Sequence, residues 1–185
     1  FTFFLLFFYS NIIGLNPALA GTAIFIALCV DAVTDPLMGT ISDRTNSVFG
    51  RRHPYMFISF IPMSLGYIFL FAPRQDWDMS QNDLFIWMTL FTIITRIGMT
   101  LFDIPHRAFG GEVTKNYEER TLLMSWREMF AWTAGLGNAF LGYGVFFSST
   151  SAYPQGQLNP DAWFPFALTG AAIMVISSLY CSIST

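Results

Sequence analysis

Apolar residues along this chain come in long blocks parted by short polar connectors, not in the strict alternation of strands. A helix that crosses a bilayer needs about 20 mainly apolar residues. Blocks of that kind lie over about 17–41, 54–71, 84–105, 122–147 and 162–183, and a shorter one, 1–13, closes at Gly-Leu-Asn-Pro. The pattern predicts an all-α fold, a polytopic membrane bundle of six helices with the first one partial. The chain opens with Phe inside an apolar run and ends as its last block ends. The expectation is a fragment: one domain over 1–185, the amino-terminal six-helix half of a larger bundle whose carboxy-terminal half is missing.

Charge orients the helices. The connector at 43–53 carries Arg44, Arg51 and Arg52, and the one at 107–120 carries Arg107, Lys115 and Arg120. The connectors at 11–17, 73–83 and 148–160 hold Arg74 as their single basic residue. The positive-inside rule places the two basic connectors on the cytoplasmic side of a plasma membrane, the inner membrane in a bacterium. Trp77, Trp87 and Trp163 then fall near outer helix ends, as interfacial aromatics.

Composition narrows the class. The chain is 54% hydrophobic and 11% charged, against about 25% charged in soluble domains. The apolar surplus therefore needs a lipid bilayer as its partner. A net charge of −3 leaves no basic footprint for nucleic acid. Cys29 and Cys181 sit in apolar runs and read as buried free thiols, and two cysteines with two histidines make no zinc spacing. No charged region precedes the first apolar run, so a signal-peptide layout is absent. No cofactor is expected.

The candidate chemistry starts at Val-Asp-Ala-Val-Thr-Asp-Pro, residues 30–36. An ionisable group inside a membrane helix costs at least ~2.5–3.5 kcal/mol by insertion scales, so it marks a functional hypothesis. Asp31 and Asp35 are four apart and share a helix face. With the Thr34 hydroxyl they offer hard oxygens to a small cation such as Na⁺, held transiently as coupling ion; without one, a proton relieves their repulsion. The structural alternative has Asp35 capping the break at Pro36 and Asp31 paired to an arginine. The fourth block repeats the theme with Arg96, Thr100, Asp103 and Arg107 at spacings of three, four and seven. Asp103 can line a cavity, take hydrogen bonds from a polar substrate or complete a cation site; an Arg96–Asp103 pair that merely docks helices is the alternative. His106 beside it keeps a proton relay open. Gly39, Asp43, Arg44, Arg51 and Arg52 straddle the expected cytoplasmic surface and read as gating groups, or as a solvated charge cluster that sets topology. Arg127 and Glu128 interrupt the fifth block: Arg127 can neutralise Asp31, Asp35 or Asp103, and Glu128 reads as an interface partner. The small residues Ala134, Gly135, Gly137, Ala139, Gly142 and Gly144 suit tight helix packing.

Taken together these stretches resemble the glycoside–pentoside–hexuronide:cation symporters, the melibiose-carrier-like branch of the major facilitator superfamily. GLNPALAGTAIFIALCVDAVTDPLMG resembles the family's second helix, GRRHP its following loop, MTLFDIPHRAFGGEVTKNYEERTLLMSWRE its fourth helix through the start of the fifth, and YPQGQLNP an outer loop. The resemblance covers the whole chain and implies one half of the family's fold. It implies that Asp31 and Asp35 are coupling-cation ligands, with Thr34 where melibiose carriers have an amide that tunes cation choice. It further implies that Thr100 and Asp103 lie near cation and sugar, and Arg127 at the sugar pocket. Arg107 stands where those carriers have an aromatic residue against the sugar, which hints at a different, anionic substrate and makes Arg107 a substrate-site candidate. The family's first-helix sugar-binding acid falls upstream of Phe1.

The resulting expectation is a secondary transporter: Na⁺- or H⁺-coupled symport of a sugar, glycoside or related small solute by alternating access. A lysolipid carrier of the same fold is the alternative, with Arg96 or Arg107 meeting a phosphate. An intramembrane enzyme using paired aspartates fits poorly, because no GxGD occurs and Ser47 stands where the last acid of a transferase motif would be. A non-transporting scaffold would gain nothing from the costly Asp31 and Asp35.

Overall fold

The computed structural model describes residues 2–45, 47, 50–113 and 116–184. Among them it shows six α-helices and no strand. Helix α1 runs Thr2–Phe7 and continues through π-turns Phe8–Ile13 until Gly14, at φ +84°, ends it. Helix α2 runs Pro17–Arg44; the Asn16 side chain accepts from the Ala18 N–H and Pro17 opens the first turn, where its missing donor costs nothing. Helices α3 (His53–Leu70) and α4 (Gln81–Val113) follow, then α5 (Tyr117–Leu141), which passes into π-turns Gly142–Phe146, and α6 (Trp163–Ser184).

Pro36, Pro62 and Pro105 all lie inside helices. Each removes one backbone bond, which neighbouring helices make tolerable in a bundle. For that reason α4 does not stop near Pro105 as the sequence pattern suggests. It runs 33 residues, about 50 Å at 1.5 Å per residue, and carries Arg107 on helix rather than in a connector. Arg120 likewise lies in α5. Lys115, expected between them, lies outside the described residues.

Among the described residues four helical stretches are long and apolar enough to cross a membrane: Pro17–Arg44, His53–Leu70, Gln81–Gly110 and Pro160–Ser184. Helix α5 has the length but is diluted by Arg127, Glu128, Asn138 and its glycines. Phe25, Val33, Ile58, Leu65, Leu90 and Ile176 all point outward and exposed, the arrangement that a hydrocarbon solvent favours. Cys29 is exposed too, and Cys181 half-buried, so neither thiol is the core residue expected from its apolar run.

Helices α3 and α4 touch backbone to backbone. A Cβ on Gly98 would meet the Met63 main chain at under 3.0 Å, and one on Gly66 would strike Thr95. Helix α4 packs on α2 along its other side, α3 packs on α6, and α1 closes against α2. The apolar core gathers at one end of the bundle, from the end of α1, the start of α2, the end of α3 and the starts of α4 and α6. Trp163, 1% exposed, is its centre, with rings of Phe7, Phe8, Phe71, Phe147 and Phe166 around it. It is a core residue, not the interfacial one the sequence suggests; Trp77 keeps that exposed position. Polar pins hold the same end. Tyr9 Oη donates to the Leu70 carbonyl, Trp87 Nε1 to Phe69, and Gln81 spans the α1–α2 turn by bonding both Gly14 O and Asn16 N.

Candidate functional site

The opposite half of the bundle holds the ionisable residues. Helices α2 and α4 run in the same direction and meet at a constant offset. Asp31 faces Arg96, Asp35 faces Thr100, and Gly39 faces Ile104, each 65 residues on. Steps of four on both helices keep these rungs on one face. The offset follows from the close α3–α4 contact and the loop lengths, so no single stretch of sequence reveals it.

In the first rung Arg96 Nη1 donates to Asp31 Oδ2, an ion pair whose side chains are about one-fifth exposed. Arg96 therefore pairs with Asp31 rather than Asp103, the partner that its own helix offered. The second Asp31 oxygen, Oδ1, is buried and accepts no hydrogen bond. In the second rung the Thr100 hydroxyl donates to Asp35 Oδ1 at 2.7 Å. Among the described residues no cation lies in ion-pair range of Asp35. One turn further along α4, Asp103 takes two arginines. Arg107 reaches Oδ2 at 2.7 Å from its own helix, and Arg127 reaches Oδ1 at 3.0 Å from α5. Arg127 also lies 3.6 Å from its neighbour Glu128. Of the three acids offered to Arg127 by the sequence, the structure selects Asp103.

Asp31, Asp35, Arg96, Thr100 and Asp103, with Thr2, Met99 and Ile104, line an open cavity of about 260 Å³, and Arg107 and Arg127 are not among its lining. Thr34 does not line it either. Its hydroxyl turns back to the Asp31 carbonyl at 3.5 Å, so it offers the cavity no oxygen in this arrangement. Among the described residues no three His, Cys, Asp or Glu side chains converge as a metal site. His106 stacks on Phe102 at 5.4 Å. Thr2 carries no sequence signal that would have placed it here, and Arg96 could not be assigned its carboxylate without the α2–α4 register.

The cavity is lined by three carboxylates and one guanidinium, and comparison with known proteins gives the chain a family. The profile of the MFS/sugar transport protein family matches residues 1–185. The chain belongs to the glycoside–pentoside–hexuronide:cation symporter family of the major facilitator superfamily. It is 38% identical to an uncharacterized symporter of Synechocystis sp. over 97% of this chain and 32% of the relative. An isoprimeverose transporter of Lactiplantibacillus pentosus is 27% identical over 94% of this chain and 35% of its own length. A sodium-dependent lysophosphatidylcholine symporter of Danio rerio is 30% identical over 72% and 25%. The chain thus spans about a third of the length of the curated relatives it matches. Family and apolar helices together make it an integral membrane protein.

Two further features of this symporter-family chain concern residues singled out in the sequence. At the α2–α3 turn, Arg52 Nη2 donates to Asp43 Oδ1 at 2.7 Å, with the arginine buried and the aspartate exposed; Thr45 and Tyr55 hydroxyls meet at 2.6 Å beside it. Arg44 and Arg51 are exposed at the same end. Gly39, expected to let helices approach closely, does not do so: a Cβ there would sit 3.8 Å from Ile104, an ordinary contact. Of the small residues expected to pack tightly, Gly142 does so, where a Cβ would meet Phe147 at 3.2 Å and Phe166 at 3.4 Å, but two glycines of α5 do not. Gly135 and Gly137 face open space and border an apolar hollow of about 740 Å³ shared with Tyr67, Gly170, Ile173 and Met174. Met99 lines both this hollow and the polar cavity. Helix α5 has no buried residue, and the Arg127–Asp103 ion pair ties it to α4.

Proposed function

We propose that the chain is the amino-terminal half of a cation-coupled symporter for a sugar, glycoside or related small polar solute. The observation that carries this reading is the unequal pairing of three acids in one cavity. Asp31 and Asp103 are held by arginines in ion pairs, whereas among the described residues Asp35 is held by the Thr100 hydroxyl and forms no ion pair. A carboxyl group inside a membrane helix with no ion-pair partner is a place for a bound Na⁺ or a proton. Asp103, Arg127 and Arg107 present a fixed acceptor with two forked donors beside it, a set that suits a polyhydroxylated or anionic solute. Ion and solute bound in adjacent positions favour the same closed state and are coupled by linkage. The loaded half then rocks against its carboxy-terminal counterpart and opens to the other side. In this reading the Asp43–Arg52 pair, with Gly39, Arg44 and Arg51 around it, belongs to the cytoplasmic gate.

The test uses the full-length protein in proteoliposomes, with sugars, glycosides, uronides and lysolipids screened with and without a Na⁺ gradient and at two pH values. Asp35→Asn should abolish gradient-driven accumulation while leaving solute exchange measurable. Ion-stimulated accumulation that survives in Asp35→Asn would remove Asp35 from the coupling site. A second reading rests on the 740 Å³ apolar hollow that meets the polar cavity at Met99. An acyl chain fits there while Arg96 or Arg107 meets a phosphate. Uptake of a lysolipid and of no sugar would select it.

A further inference from the structure

Arg96 adds something to the site beyond the presence of two aspartates on one helix. Its guanidinium, from α4, pairs with Asp31 across the α2–α4 interface. A guanidinium keeps its charge at every accessible pH, so it cannot leave the carboxylate by losing a proton. A small metal cation entering beside it would meet that fixed charge and find one of the two α2 carboxylates already engaged. The other Asp31 oxygen is buried and unpartnered, and it belongs to a residue that lines the same cavity as Asp35, Thr100 and Asp103. Removing the guanidinium would therefore leave two carboxylates and a hydroxyl oxygen around one space, a hard-oxygen set suited to Na⁺. The remaining charges around that space are already matched: Asp103 by Arg107 and Arg127, and Arg127 in turn by Glu128.

We infer that Arg96 is a tethered cation and the residue that sets coupling-ion specificity. By occupying Asp31 it excludes Na⁺ from the acid pair in the arrangement seen here, and its loss creates a sodium site. This rests on the symporter reading for its biological meaning, but its test does not require transport.

The experiment measures the thermal unfolding of the full-length protein in detergent, in NaCl, KCl and choline chloride at equal ionic strength. The wild type should unfold at the same temperature in all three. Arg96→Ala and Arg96→Gln should each unfold at least about 3 °C higher in NaCl than in KCl, since a ligand that binds only the folded state stabilises it. Arg96→Lys keeps a cation at the site and should behave as wild type. Adding Asp31→Asn to Arg96→Gln should abolish the sodium effect, placing it at this carboxylate. Should Arg96→Ala fail to fold, Arg96→Gln retains length and a donor and carries the test. A wild type that is stabilised by Na⁺ as strongly as the variants would overturn the inference. So would variants that stay indifferent to Na⁺. If no solute is taken up by any protein, the symporter reading fails, and the sodium shifts still decide the role of Arg96.

Discussion

Asp35 and Thr100 form the rung of the α2–α4 interface that has no ion pair among the described residues, and the hydroxyl donates to the carboxylate. Thr100 is buried, so replacing it with the isosteric valine removes the donor without leaving a large hole. A buried acceptor that loses its partner costs about 1–3 kcal/mol. Thr100→Val should thus lower the stability of the folded bundle by about 1–2 kcal/mol, read from thermal unfolding in detergent. It should also weaken half-saturation by the coupling ion more than it lowers maximal uptake, because Asp35 stays present but is no longer oriented. An unchanged ion dependence would show that the hydroxyl serves packing alone. Asp103 differs in kind. Its side chain is 37% exposed and carries two arginines.

At the scale of elements, the position of the acids depends on how closely α3 and α4 approach. Gly98 lies against the Met63 backbone, and a methyl group there has nowhere to go, since the opposing atoms are main chain. Gly98→Ala should separate the two helices and cost about 1–3 kcal/mol, the range for overpacking. It should disturb the Asp31–Arg96 and Asp35–Thr100 rungs as α4 shifts. Gly39→Ala is the control on the adjoining interface. Its added carbon meets Ile104 at an ordinary 3.8 Å, so stability should stay within about 0.5 kcal/mol of wild type. Thermal unfolding of the two variants side by side decides this. If Gly39→Ala is stable but slow in uptake, the glycine is needed for motion; if both are wild-type-like, the α3–α4 contact is looser than the geometry states.

The whole molecule is divided lengthwise into an aromatic end and an ionic end. Trp163 ties α1, α3, α6 and the π-turns after α5 into one apolar cluster. That end holds most of the buried apolar side chains, and at the ionic end α5 is joined to α4 by the Asp103–Arg127 pair. Trp163→Ala should cost about 3–5 kcal/mol, as for a large aromatic removed from a core. Trp77→Ala, at the exposed position, should change stability by less than about 0.5 kcal/mol. Unfolding midpoints of these two variants test the division directly: equal, small effects would place the apolar core elsewhere.

Much of this architecture is legible in the residue pattern, because lipid and water impose simple demands. Apolar blocks of spanning length must become helices, and the chemistry-bearing residues within them are conspicuous for being expensive there. Asp31, Asp35, Arg96, Thr100, Asp103 and Arg127 can all be singled out from type and spacing. Their pairing cannot. Within one helix Arg96 and Asp103 share a face, and local spacing offers them as partners. The actual partner of Arg96 comes from another helix, through an offset of 65 residues fixed by glycine contacts and loop lengths. Likewise the glycines of α5 read as packing residues, yet what they pack against is a matter of where α5 sits, and there they border a hollow. The sequence by itself determined the solvent, the helices and the cast of charged residues, since those follow from local transfer energies. Only the tertiary structure decided which charge answers which, because an ion pair depends on distances across helices that no local pattern encodes.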